Sequence, residues 1–296
     1  MRLFKKSKPA GRLGLEVSPF GMSVALLQAH DDEGDRERCE CGAFEGTNLA
    51  ELASEVGNWA SDRDVLEAPC RVVLHPSYYS LYFVERPEGI DDSLENVVID
   101  TFPVPDDAFH GRSRMLYAVT ARRALIEEIA ASLEDVGMEI ESIDITELVT
   151  TGNVLRKLDE EGRATAMLRM RKSDGLINLS EGGNLYVTRH IDTSLTLLAS
   201  SDDEKQYEVL DELLLEVQRS LDYFDSQIGK GRVRQFYLAP MRMELDSVHE
   251  HLQNNLGVQI RELDLNDMFE TPEPLADEIQ AQCFAAVAAA CGTTVH

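Results

Sequence analysis

Residues 13–28, LGLEVSPFGMSVALLQ, read as a β-hairpin, with apolar runs on both sides of a short polar turn. Several nucleotide-binding folds hold a phosphate in such a hairpin, on backbone N–H groups that no side chain obstructs. Here the turn carries Pro19 and Phe20. Proline has no N–H to donate, and phenylalanine adds bulk over the place a phosphate would take. Whether this turn serves a ligand depends on what the rest of the chain builds around it.

Strand and helix signals alternate outward from the hairpin. ERCECGAFEG (37–46) alternates as a third strand after the acidic turn HDDEGDRE (30–37), and NLAELASEVGNWASD (48–62) has helical spacing at Leu49, Leu52, Val56 and Trp59. Two short strands flank the His75-Pro76 break, and residues 92–108 read as a short helix stopped by Pro103 and Pro105. RMLYAVTA (114–121) is a strand, 122–137 an amphipathic helix closed by Gly137, and MEIESIDI (138–145) an alternating strand. After a helix at 146–162 the pattern repeats: RATAMLRM (163–170), GLINLSEGG (175–183) and LYVTRHI (185–191) precede a long helix with Leu210, Leu213, Leu214, Val217, Leu221 and Phe224 on one stripe. The strand VRQFYLAP (233–240), a helix, a strand and the small-residue helix at 277–292 follow. Two copies of hairpin, third strand and helix predict two α/β lobes with a cleft between them.

Composition narrows the function classes. The chain has 296 residues, enough for two cores, and 43% hydrophobic residues, as in a folded globular protein. A net charge of −26 disfavours nucleic acid and acidic bilayers, because a polyanion gains no counterions by docking on another. The basic cluster Arg2, Lys5, Lys6, Lys8 and Arg12 is the exception, either a contact for an anionic membrane at about 1 kcal/mol per basic residue or a solvated tail. It is too short and too charged for a signal peptide, and no stretch of about 18 apolar residues follows, so a cytoplasmic protein without a transmembrane segment is expected. Five scattered cysteines suit a reducing compartment, and Cys39 and Cys41 alone make a poor zinc site. The histidines of HEH (249–251) diverge on a helix, His75 and His110 lie in turns without a nucleophile beside them, and SEGGNL (180–185) reads as a hairpin turn. These residues supply no enzyme chemistry.

The order of these pieces resembles the actin-like proteins of type IV pilus assembly, the PilM family, and within it the MshI proteins of mannose-sensitive haemagglutinin pilus biogenesis. The hairpin at 13–28, ENVVIDTFPVPDDA (95–108), the run 115–145 and VQRSLDYFDSQ (217–227) carry the likeness, which extends over essentially the whole chain. It implies an α/β, bilobed actin-like ATPase fold of the FtsA and PilM type with an inserted small α+β subdomain. The implied bounds are a basic tail at 1–12, a first lobe at 13–67 and 146–162, the insert at 68–145 and a second lobe at 163–296.

The family's nucleotide motifs can be followed onto this chain. Its Asp-x-Gly-Ser-Ser hairpin falls on Glu16, Val17, Ser18, Pro19 and Phe20; its second Asp-x-Gly falls on Arg169, Met170 and Arg171; its glycine run falls on Ala239, Pro240, Met241 and Arg242. A degenerate cleft at Glu16, Ser18, Pro19, Arg169, Arg171 and Pro240 is therefore expected, with no catalytic residue, no metal, no tightly held cofactor and Mg-ATP at most weakly bound. Arg169, Arg171 and Lys172 read as the solvated face of an edge hairpin, with a salt bridge to Glu16 or weak anion binding as alternatives.

The resemblance further implies a scaffold that binds the cytoplasmic N-terminal peptide of a PilN-like inner-membrane protein and couples that platform to pilus motor ATPases. Leu81, Phe83, Ile99, Phe102, Pro103 and Val104 are candidates for a peptide groove between the first lobe and the insert, some of them core. A weak ATP-binding, ATP-gated assembly protein is the alternative. A filament former is a third class, opposed by the negative charge.

Overall fold

The computed structural model describes residues 11–29, 36–85, 95–111, 114–158, 162–200, 203–242 and 246–292. The basic residues at 2–8 and most of the acidic turn at 30–37 lie outside the described residues. Strands β1 (Arg12–Ser18) and β2 (Gly21–Gln28) pair antiparallel with Ser18 opposite Gly21, so Pro19 and Phe20 form the turn. Arg12, assigned to a tail, instead begins β1 and donates to Glu37 at 2.6 Å. Strand β3 (Arg38–Glu45) extends the hairpin, and α1 (Leu49–Ser61) follows, its first turn capped by the Asn48 side chain. Strand β4 (Pro69–Leu74) then enters parallel to β1.

Strands β5 (Tyr79–Glu85), β6 (Val97–Pro103) and β7 (Met115–Arg122) form a separate antiparallel sheet with β7 in the middle. The chain returns through α2 (Arg123–Asp135) to β8 (Glu139–Ile145), completing a first sheet ordered β3-β2-β1-β4-β8. Because β4 and β8 are members of that sheet, the inserted unit lies between them and is narrower than the expected 68–145. The reading of 92–108 as a helix fails over its described part, where 97–103 is a strand, while 92–94 lie outside the described residues. Val97, Val98, Ile99 and Thr101 are β-branched, and the edge position of β6 tolerates Pro103, which has no N–H to lose.

A helical turn, α3 (Thr146–Val149), runs into a π-helical turn at Thr150–Leu155 and leads to the second sheet. That sheet holds β9 (Ala164–Met170), β10 (Gly175–Glu181), β11 (Asn184–Ile191), β12 (Gln235–Leu238) and β13 (Ile260–Glu262), ordered β11-β10-β9-β12-β13. Each sheet is a hairpin with a third antiparallel strand on one side and two parallel strands on the other, the repeat that the sequence pattern predicts. Parallel neighbours need long crossovers, which α1 and α5 (Asp203–Tyr223) supply after the one-and-a-half-turn helix α4 (Leu195–Ser200). The SEGG segment is a hairpin turn, with φ of 58° at Gly182 and 76° at Gly183 that glycine adopts without strain.

After α6 (Asp246–Asn255), the helix α7 (Asp277–Ala290) leaves the lobe to which the sequence reading assigned it. Its run Phe284–Ala290 is buried with Ala25, Leu27 and Val73 of the first sheet, with Met167 and Tyr237 of the second and with Ala239 just after β12. Small side chains allow this: the backbone of β1 at Gly14 passes so close that a Cβ there would meet the Ala286 carbonyl oxygen at 1.9 Å. The three-stranded sheet likewise leans on both lobes. Val104, Ala108 and Tyr117 enter the core of the second lobe, α2 packs with the first, and the Tyr117 hydroxyl donates to the Tyr186 carbonyl at 3.2 Å.

Candidate functional site

Between the lobes lies a cavity of about 900 Å³. The turn after β1, the start of the β9–β10 connection, the loop before α4, Arg242 beyond β12 and the first half of α7 all face it. The repeated topology explains the convergence, since both hairpins end at the same opening.

In the first hairpin the polar groups of the turn satisfy one another. The Phe20 N–H donates to the Ser18 hydroxyl at 3.2 Å, and that hydroxyl donates to the Gly21 carbonyl at 2.9 Å. Pro19 has no N–H, and the Phe20 ring stands 69% exposed at the cavity, edge-on to His75 with centroids 6.3 Å apart. The turn thus presents a ring where a phosphate cradle would present amides. Pro240 follows β12 and is half-buried, but the cavity is lined by Arg242 two residues later.

Arg169 and Arg171 are not the solvated face of an edge hairpin. Strand β9 is central in its sheet, and both arginines are buried. Of the alternatives, the salt bridge is present: Arg169 Nη2 lies 3.4 Å from Glu16 Oε2 across the cleft, with each side chain 8% exposed. The Arg169 guanidinium also sits 5.8 Å from the centre of the Phe284 ring on α7, so three elements meet at one cation. Arg171 donates through Nε to Asp174, and its carbonyl accepts from the Leu195 N–H at 2.9 Å, which fixes the β9–β10 turn against the loop before α4.

The sequence reading gave no role in this region to three residues, His75, which it left as a turn residue, Glu147 and Asn178. His75 follows β4, accepts the Ser77 N–H on Nδ1 at 3.2 Å and is therefore neutral, with its proton on Nε2. Burial, helped by Arg171 and Arg169 and opposed by Glu16, lowers its pKa to about 4. Glu147 on α3 is buried and accepts from the Tyr79 hydroxyl; burial pushes its carboxyl up, while Tyr79 and the two arginines pull the other way. Asn178 on β10 donates to Thr150 at 3.1 Å and Thr151 at 3.2 Å, tying the second sheet to the π-helical turn between the lobes. The only signal was that of His75, a histidine directly after a strand of the first sheet; Glu147 and Asn178 had none.

His75 makes stability depend on pH in a stated direction. Its folded pKa of about 4 lies below its ordinary 6.5, so between these values the unfolded chain binds the extra proton. Stability present at pH 7 is lost as pH falls through that window, by up to about 3 kcal/mol. His75→Gln should flatten this part of the urea-midpoint profile between pH 7 and pH 4; an unchanged profile would assign it to other groups.

A magnesium-bridged phosphate needs carboxylates free to hold the metal and unobstructed amides. The residues present do not fit it: Glu16 faces Arg169, the second hairpin brings the cations Arg169 and Arg171 to the cavity, and Pro19 and Phe20 occupy the turn of the first. Among the described residues no group of three or more His, Cys, Asp and Glu side chains could hold a metal ion.

The six groove candidates do not share one surface. Leu81, Phe83 and Phe102 lie on one face of the small sheet around Tyr117, with Phe83 and Phe102 ring centroids 4.9 and 5.2 Å from it. Ile99 and Pro103 alternate onto the opposite face, and Val104, 2% exposed, belongs to the core. Sequence spacing missed this because 97–103 was given helical rather than strand periodicity. Phe83 at 38% and Tyr82 at 51% exposure remain accessible on β5, whose outer edge pairs with no described strand.

Two sheets of one repeated order, each with crossover helices, facing across a cleft, define the bilobed actin-like fold. A solved structure bears this out. The chain is similar to a PilM-PilN type IV pilus biogenesis complex at 16% identity, over 94% of this chain and 97% of that one, with a TM-score of 0.67. Also matched are a protein with actin-like ATPase fold and unknown function from Bacteroides thetaiotaomicron (11% identity, 95% and 98% of the chains, TM-score 0.49) and the cytoplasmic domain of EpsL, an inner membrane component of the Vibrio cholerae type II secretion system (14%, 94% and 94%, 0.47). No family model and no curated protein matches the chain. Among the described residues no helix is long and apolar enough to cross a membrane.

Proposed function

We propose that this chain is a scaffold of a type IV pilus assembly platform that binds the cytoplasmic N-terminal peptide of a PilN-like inner-membrane protein. The likeness to the PilM-PilN complex over nearly the full length of both chains carries the reading. The edge of β5 that pairs with no described strand, with Tyr82 and Phe83 exposed beside it, supports it, because an extended peptide gains backbone hydrogen bonds at such an edge and specificity from apolar side chains next to it. On this reading the chain works at the cytoplasmic face of the inner membrane through its partner and is not an enzyme, and its nucleotide cleft has lost tight Mg-ATP binding. A role in the mannose-sensitive haemagglutinin pilus, with coupling to motor ATPases, is the finer form of the same proposal.

Titration with a synthetic N-terminal tail of the PilN-like protein should show one-to-one binding. Tyr82→Ala with Phe83→Ala should weaken it about tenfold or more, in line with aromatic anchors at interfaces. A folded chain that ignores the tail would overturn the scaffold reading. A rise in melting temperature with Mg-ATP that EDTA abolishes would favour an ATP-gated assembly protein instead.

A further inference from the structure

We propose that the interlobe cleft is a metal-independent site for a small oligophosphate, held by the guanidinium forks of Arg169 and Arg171. Among the described residues Arg169 Nη1 and both Nη1 and Nη2 of Arg171 have no hydrogen-bond partner, although each arginine side chain is only 8% exposed. Buried N–H groups left unpaired cost free energy, and an oxyanion in the cavity that they line would satisfy them. The Glu16 contact is a weak competitor: at 3.4 Å it exceeds a good charge-assisted bond, and Glu16 Oε1 is itself unpartnered.

The charge of the cavity agrees. Among the described residues Arg169, Arg171, Lys172 and Arg242 line it with Glu16 and Glu45, while Asp174 behind the cavity pairs with Arg171, so cations outnumber carboxylates there in a chain whose net charge is −26. Arg242 has long ion pairs, 3.8 Å to Glu278 and 3.9 Å to Glu45. Low-dielectric walls of one sign focus anions. Several cations in a space of about 900 Å³ favour a ligand with more than one charged group, and the planar fork of arginine matches the oxygens of a phosphate. The same cations repel a divalent metal, so the ligand binds without one.

The test is calorimetric titration of the full chain with sodium tripolyphosphate in EDTA. One-to-one binding is expected, with a melting temperature raised by about 5 °C at a hundredfold excess over Kd. Arg171→Ala should weaken binding at least tenfold, while Glu16→Gln, which frees Arg169 and removes a negative charge, should tighten it several-fold, a gain that a misfolded variant cannot give. No binding in EDTA, binding only with magnesium, or unchanged affinity in both variants would overturn the proposal. Citrate binding as tightly as tripolyphosphate would overturn its phosphate selectivity. Failure here leaves the tail titration untouched, since the β5 edge is a different surface.

Discussion

Gly14→Ala lowers the unfolding free energy by about 4 kcal/mol or more, the exceptional range reserved for forced overlap in a core. The added Cβ would stand 1.9 Å from the Ala286 carbonyl oxygen and 2.5 Å from the Ala290 nitrogen, both backbone atoms of α7. Neither can turn aside as a flexible side chain can, so the helix must shift away from β1. That helix is packed with residues of both sheets, and its displacement loosens the two lobes together. Gly257→Ala is the control, because a Cβ there meets nothing within 4 Å and the backbone is not left-handed. Urea unfolding of both variants decides the matter: equal midpoints would mean that the β1–α7 contact is not tight.

Arg169→Met destabilises the chain by about 3 kcal/mol, the low end for stripping one partner from a buried ion pair. Methionine keeps much of the stem that packs near Phe284 but leaves the Glu16 carboxylate facing no cation at hydrogen-bonding range. The double variant with Glu16→Gln should recover most of the loss, since two neutral side chains fill similar volume without a stranded charge. A double variant no more stable than Arg169→Met would show that Arg169 acts through packing alone. The pair spans β1 and β9, so its coupling energy also reports how firmly the lobes are closed on each other.

Much of the architecture was legible in the sequence because it depends on local periodicity. The hairpin around Pro19 and Phe20, the strand at 38–45, α1 and the long amphipathic helix α5 all follow from alternation or from helical spacing of apolar residues. Strand β6 failed for a physical reason: Pro103 and Pro105 look like helix terminators, yet an edge strand asks nothing of a proline N–H. Within the site, Glu16, Arg169 and Arg171 were placed in one cleft by motif order. His75 was not, because it is brought to the cleft by strand pairing in the first sheet and carries no local pattern.

The sequence by itself determined two α/β repeats and a first hairpin whose turn carries Pro19 and Phe20. Those features need only residue identity and spacing over a few positions. Only the tertiary structure decided that Arg169 is buried against Glu16, that α7 belongs to both lobes, and that Val104 is core rather than groove. Each of these rests on contacts between segments far apart in the chain, and burial of a charge or of an alanine helix is a property of what covers it.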